Sequence, residues 1–336
     1  MEPSRQVDLV HTYKETDSSI YSIRWNFDDL LLATASVNGY VSIYETFSNQ
    51  NPTQNINQNS YQLKQSLDCK VKQRLPLCNI RWRPEKGLNK GILMVASSEG
   101  AVLHWQASTG RLLNTIFFPE NQALCCDYSP DGENFAIGWK DMAVKIYDDN
   151  TKQLVKELRR SGENSGHGNR ILSVKWQSSN IVFSAGWDNN VYMWDLRSRA
   201  PVKFFQGAFL TGDAMDVFED TIATVDCSLS DQLKIWSVSQ GRLIHSVLLE
   251  QGGRPLKGYT LQFSKNNDAA MIFVGGSGNL QGYFLNSRLY TILNTISQIQ
   301  APIYTCDFGN QSSKIALGTG DGTIYEFHIG GGFGSI

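Results

Sequence analysis

The 336-residue chain has no apolar run near the ~20 residues that a membrane-spanning helix requires. Its opening, MEPSRQVDLV, has no apolar core of the kind a secretory signal carries. These absences predict a soluble, intracellular protein. Charge excess is lacking too. Thirty basic against 32 acidic residues leave a net charge of −2, so no overall positive field favours nucleic acid. None of the six cysteines forms a CxxC pair, and most sit in apolar segments, which predicts buried free thiols in a reducing compartment. The five histidines, His11, His104, His167, His245 and His328, are scattered one per segment, and no metal site is expected. Apolar residues recurring at helical spacing are missing as well. What is plentiful is glycine, at 29 residues, and aromatic and β-branched side chains, which predict an all-β protein of short strands and tight turns.

One unit recurs along the chain: an alternating apolar strand, a polar turn, a strand of small and apolar residues, a Gly/Asn/Asp turn, and a strand ending in an aromatic. Its copies include IYSIRWNFDDLLLATASVNGYVSIYE from Ile20, ALCCDYSPDGENFAIGWKDMAVKIYDD from Ala123 and RILSVKWQSSNIVFSAGWDNNVYMWD from Arg170. Seven copies are expected, at about 20–70, 77–118, 123–159, 170–206, 212–249, 258–297 and 301–329. The closing aromatics are Tyr44, Trp105, Tyr147, Trp194, Trp236, Phe284 and Phe327, and all spacings but the first fall between 42 and 48 residues. The long first interval holds an Asn/Gln-rich tract, 48–61, that reads as a loop inserted within the first copy. After most third strands comes a fourth, as in RLLNTIFF and PVKFF. The seventh copy has no room for one, while residues 7–15, VDLVHTYKE, form an unclaimed strand that would complete it and close the ring.

This repeat resembles the WD-repeat (WD40) β-propeller family over nearly the whole chain. The best match is the fourth copy, with Gly166-His167 before it and Trp194-Asp195 at its end; Pro130 to Gly132 and Asp321-Gly322 are further family-like turns. The resemblance implies a single seven-bladed propeller of four-stranded antiparallel blades.

His167, Ser184 and Asp188 fall within one span and raise the question of a hydrolase, with Ser184 as nucleophile, His167 as base and Asp188 as its orienting partner. Ser184 lies in FSAGW, in mid-strand and away from any GxSxG elbow. The family resemblance supplies a structural role instead: His167, Ser184, Asp188 and Trp194 would form one hydrogen-bonded set pinning strands together. The first copy offers only Thr34 and Asn38 before Tyr44, and the third Asp141 before Tyr147, so packing is expected to serve the other blades. GTGDGT at 318–323 and GGSGN at 275–279 lack the strand-to-helix setting of a phosphate loop and read as turns. No catalytic constellation and no cofactor are expected.

Turns between second and third strands share a face with the connections into first strands. Trp139 and Lys140 in GWKD, and Trp187 in GWDN, are therefore candidate protein-binding residues on that face, although the tryptophans could equally pack inside the blades. Arg197 in WDLR, at 194–197, is similar to the WDxR box of WD-repeat substrate receptors in cullin-RING ubiquitin ligases. The expected function is a non-enzymatic scaffold binding several other proteins in one complex, with no membrane, nucleic-acid or small-molecule partner. The receptor role is the alternative. The Asn/Gln-rich insertion is similar to those of ciliate proteins, and residues 212–236 resemble WD-repeat proteins of ciliated organisms, which suggests a cytoplasmic setting in a cilium or the cytoskeleton.

Overall fold

In the computed structural model, residues 6–46, 61–84, 91–160, 166–198, 200–266 and 268–330 are described. They contain no helix. Seven four-stranded antiparallel sheets follow one another along the chain, the seven-bladed all-β propeller expected from the repeat. Blade 4 is representative: Ile171–Ser178, Ile181–Gly186, Asn190–Asp195 and Pro201–Gln206 pair in chain order. Blade 5 begins with the shortest first strand, Met215–Phe218. Between blades 5 and 6 an unanticipated two-stranded ribbon pairs Glu250–Gln251 with Arg254–Pro255.

Period-2 alternation in the second and third strands sends apolar side chains to both sheet faces, so the cores lie between blades. Ala35, Val41 and Ile43 of blade 1 pack on Ile80, Val95 and Leu103 of blade 2. Cys125 joins the cluster shared with blade 4 while Cys126 joins the one containing Met94 and Val102 of blade 2, because adjacent strand residues face opposite ways. All six cysteines are free thiols.

The seam lies in blade 7. Strand Val7–Lys14 pairs with Thr323–Ile329 as its outermost strand, from Val7 opposite Ile329 to Lys14 opposite Thr323. At the same junction Ile20, Ile23, Trp25, Leu32 and Tyr44 of blade 1 share a core with Ala316 and Ile324 of blade 7. Tyr61, placed by sequence in the inserted loop, instead begins the fourth strand of blade 1 and donates its hydroxyl to Glu326 of blade 7. The remainder of that insertion lies outside the described residues.

His104 carries an energetic liability. It is fully buried in the third strand of blade 2, its ring 4.9 Å from Phe135, and neither ring nitrogen has a hydrogen-bond partner among the described residues. Burial, with nearby Lys152 and Arg83, pushes its pKa from 6.5 down to about 3.

Two outcomes follow from the seam and from this histidine. Deleting residues 1–16 exposes the edge of Thr323–Ile329 and removes the ring closure, so the melting transition of the whole chain should drop and broaden; a truncated chain melting like the intact one would refute the closure role. The His104 contribution is complete above pH 6.5 and is lost as pH falls from there towards 3, because the unfolded chain takes up a proton that the folded chain refuses. Melting temperature in His104→Leu should accordingly fall less between pH 7 and pH 4 than in the parent chain.

Candidate functional site

The first strands of the seven blades surround the central channel, and six carry a polar residue directly before an aromatic: Arg24, Arg81, Asp127, Lys175, Gln262 and Asp307. Asp216 of blade 5 takes the equivalent register, opposite Ala223 as Arg24 is opposite Ala33. Acceptors at this position stitch each blade to the next. Asp127 accepts the Trp176 amide at 2.9 Å, Asp216 the Phe263 amide at 2.9 Å, Gln262 the Phe308 amide at 2.8 Å and Asp307 the Trp25 amide at 2.8 Å.

Arginine and lysine cannot accept, so the three cations of the ring need another partner. They converge on Asp213, which precedes the first strand of blade 5. Its Oδ2 accepts from Arg24 Nη2 and, at 2.6 Å, from Arg81 Nη2; its Oδ1 accepts the Ser173 hydroxyl at 2.9 Å and lies 3.2 Å from Lys175 Nζ. Blade 5 stands across a seven-membered ring from blades 1 and 2, so this carboxylate sits on the channel axis. Burial alone would raise its pKa, but Arg81, Lys175 and Arg24 overturn that and hold it well below the usual carboxylate range.

Above this plug the channel mouth has its own construction. In six blades the pairing of first and second strands skips one residue at the same place: Tyr21, Cys78, Leu124, Leu172, Tyr259 and Tyr304. Such bulges re-aim side chains out of the ladder. The Tyr259 and Tyr304 rings meet edge-on at 5.3 Å, and Tyr304 and Tyr21 at 5.6 Å, giving an aromatic arc across blades 6, 7 and 1. Around it, the same face exposes Phe118, Met142, Trp187, Phe209, Leu229 and Leu248. Exposed apolar side chains gathered on one face are a feature of interaction sites.

The residues singled out by sequence separate into three groups. His167, Ser184, Asp188 and Trp194 are brought together: His167 Nδ1 lies 2.7 Å from Asp188 Oδ2, its Nε2 lies 2.7 Å from Ser184 Oγ, and Trp194 Nε1 donates to the same Oγ at 2.7 Å. One hydrogen assignment satisfies them all, with Nδ1–H donating to the carboxylate and the serine hydroxyl to Nε2. Ser184 is fully buried and has no face for a substrate carbonyl. Trp139 corrects the surface expectation: it is fully buried, with Phe118 edge-on at 5.2 Å and Lys145 over its ring at 4.9 Å, so only Lys140 of that pair is exposed. Trp187 is 38% exposed and stacks with Phe209 at 6.3 Å. Arg197 lies on the opposite face, 72% exposed, with Nε 2.9 Å and Nη2 2.6 Å from the Asp195 carboxylate, whose pKa it draws down to about 2.

A family model described as "WD domain, G-beta repeat" matches residues 7–45 and 158–195, the second match spanning the His167 set. With seven four-stranded blades in a closed ring, this decides the family. The chain is a WD40-repeat β-propeller. Among relatives of this WD40 propeller, the guanine nucleotide-binding protein subunit beta of Solanum tuberosum is 26% identical over 152 residues, 44% of this chain and 38% of that protein. The subunit beta-1 of Drosophila melanogaster is 28% identical over 123 residues, 37% of this chain and 35% of that protein. The matched part of the WD40 chain thus spans under two fifths of the length of these curated relatives.

Packing does not act alone in the other WD40 blades, as sequence had suggested. In blade 1 the partly buried Glu15 takes the histidine's place and accepts Thr34 Oγ1 at 2.8 Å, and in blade 5 Trp236 Nε1 donates to Thr224 Oγ1 at 3.1 Å. Sequence reasoning also missed Asp213 and the polar ring. The ring left a signal, a polar residue before an aromatic in six of the seven repeats; Asp213 left none, since its partners come from three other blades. Asp213→Ala leaves the buried Arg24 and Lys175 without an ion-pair partner and Arg81 with Asp127 alone, and should cost about 3–5 kcal/mol in denaturant-unfolding free energy. An Asp213→Ala chain as stable as the parent would show the channel cluster to be incidental.

Proposed function

We propose that the protein is a non-enzymatic interaction scaffold of a multiprotein assembly, and that its principal docking surface is the face centred on the channel mouth. The observation carrying this reading is the repeated bulge, which in six of seven blades lifts a side chain out of the sheet ladder at the same level. A strand with no partner to meet gains nothing from the interruption, whereas six together build a rim of tyrosine, leucine and cysteine around one opening. The relatives named as subunits of guanine nucleotide-binding proteins support a role within an assembly. A ciliary or cytoskeletal setting belongs to the same proposal and rests on segment resemblance. The ligase-receptor reading ranks second. Arg197 is exposed, but its guanidinium is spent on Asp195, so an adaptor would have to compete for it.

The mouth can be tested without disturbing the core. Tyr304→Ala and Tyr21→Ala, affinity-purified from the native cell, should each lose at least one protein captured by the parent chain while the melting temperature stays within a few degrees. An unchanged set of captured proteins in both variants would rule out the mouth as the docking surface.

A further inference from the structure

We propose that the stack of Arg170, Trp187 and Phe209 above blade 4 captures a carboxylate-bearing segment of a partner protein, Arg170 taking the carboxylate and the two rings covering an adjoining apolar side chain. The proposal rests on the scaffold reading and gives it a partner chemistry. The guanidinium carbon of Arg170 lies 4.3 Å from the centroid of the Trp187 ring, and Trp187 and Phe209 are stacked at an interplanar angle of 14°. Both rings are about two-fifths exposed, at 38% and 42%. A guanidinium laid over an indole is held in place by its face, which leaves its N–H edge free to act as a two-pronged donor. Nothing among the described residues uses that edge. Arg170 Nε is enclosed and without a hydrogen-bond partner, and no hydrogen bond or ion pair of the two Nη groups is formed among the described residues, so the Nη pair is the edge left to a carboxylate.

Among the described residues, the carboxylates of this quarter of the face are committed elsewhere. Asp188 accepts from His167 and from the Gly168 amide, at 2.7 and 3.0 Å, and Asp141 accepts from Arg159 at 2.8 Å. Lys140 adds a further exposed positive charge on the neighbouring turn. The quarter is therefore basic in a chain whose net charge is −2, and the complement is an anionic group. A planar carboxylate matches the guanidinium fork in a bidentate pair. The exposed rings then set a second requirement, an apolar or aromatic residue next to the acid.

The test uses the full chain and fluorescein-labelled peptides in an anisotropy titration. One end-blocked peptide carries the core Glu-Phe-Glu-Leu, a second has Gln for both Glu, and a third has an uncharged Phe-Leu core with a free terminal carboxylate. The first or the third should bind at least tenfold more tightly than the Gln peptide, and which of them does so says whether a side chain or a chain end supplies the carboxylate. Arg170→Gln should remove that tenfold advantage and Arg170→Lys part of it, with melting temperature unchanged, while Trp187→Ala should weaken all three peptides. Equal binding of the Glu, Gln and free-carboxylate peptides, no binding of any, or an advantage surviving in Arg170→Gln would overturn the proposal. A partner from native cells that is still captured by Arg170→Gln but lost by Tyr304→Ala would overturn it while leaving the scaffold reading intact.

Discussion

The carboxylate of Asp213 is the point on which the ring turns. Seven sheets packed face to face leave the free edges of seven first strands around a narrow channel, and every polar group there must find a partner away from bulk water. Four blades solve this locally, through an Asp or Gln that accepts an amide of the next blade. The other three carry Arg24, Arg81 and Lys175, buried cations of which only Arg81 reaches a carboxylate of the ring itself, Asp127 at 3.2 Å. One anion from blade 5, reaching the axis, meets all three and ties blade 5 to blades 1 and 2, with which it shares no sheet and no core. A buried charge cluster is a weak source of net stability, but it is selective: only one arrangement of blades brings three cations within reach of one carboxylate.

Farther out, cohesion is divided between apolar packing and small hydrogen-bonded sets. Blade 4 has the complete set of His167, Ser184, Asp188 and Trp194, blade 1 substitutes Glu15 for the histidine, and blade 5 retains only the tryptophan-to-threonine bond. Each set answers the same problem, a hydroxyl stranded in the middle of a buried second strand. The solutions differ in their cost. The histidine finds two partners, whereas burial raises the pKa of Glu15, so that its ionised form is disfavoured in the fold.

The two faces of the disc differ in what they leave unsatisfied. Arg197 closes on Asp195 beside it, as a surface ion pair ordinarily does. On the mouth face the bulges hold tyrosines and leucines out of their ladders, large apolar side chains ring the opening, and Arg170 lies over an indole instead of a carboxylate. Unmet apolar and charged groups gathered on one surface are the physical basis for assigning recognition to it.

The architecture was legible in the chain itself. A period of 42–48 residues, the alternation within each strand and an orphan strand at 7–15 define seven blades and their closure, because local pairing repeats with the sequence. The set around His167 was legible for the same reason, its members lying on neighbouring strands of one blade. Trp139 and Trp187 show the limit. Both follow a glycine at the same turn, yet one is enclosed by Phe118 and Lys145 and the other stands open beside Phe209. Those neighbours come from other strands, and no sequence spacing specifies them. Asp213 is the extreme case: its partners lie 189, 132 and 38 positions away, and only ring closure brings them to one oxygen pair. The sequence determined the blades through interactions that are local and periodic; the tertiary structure alone decided the plug, the mouth and the Arg170 stack, because each is made where different blades meet.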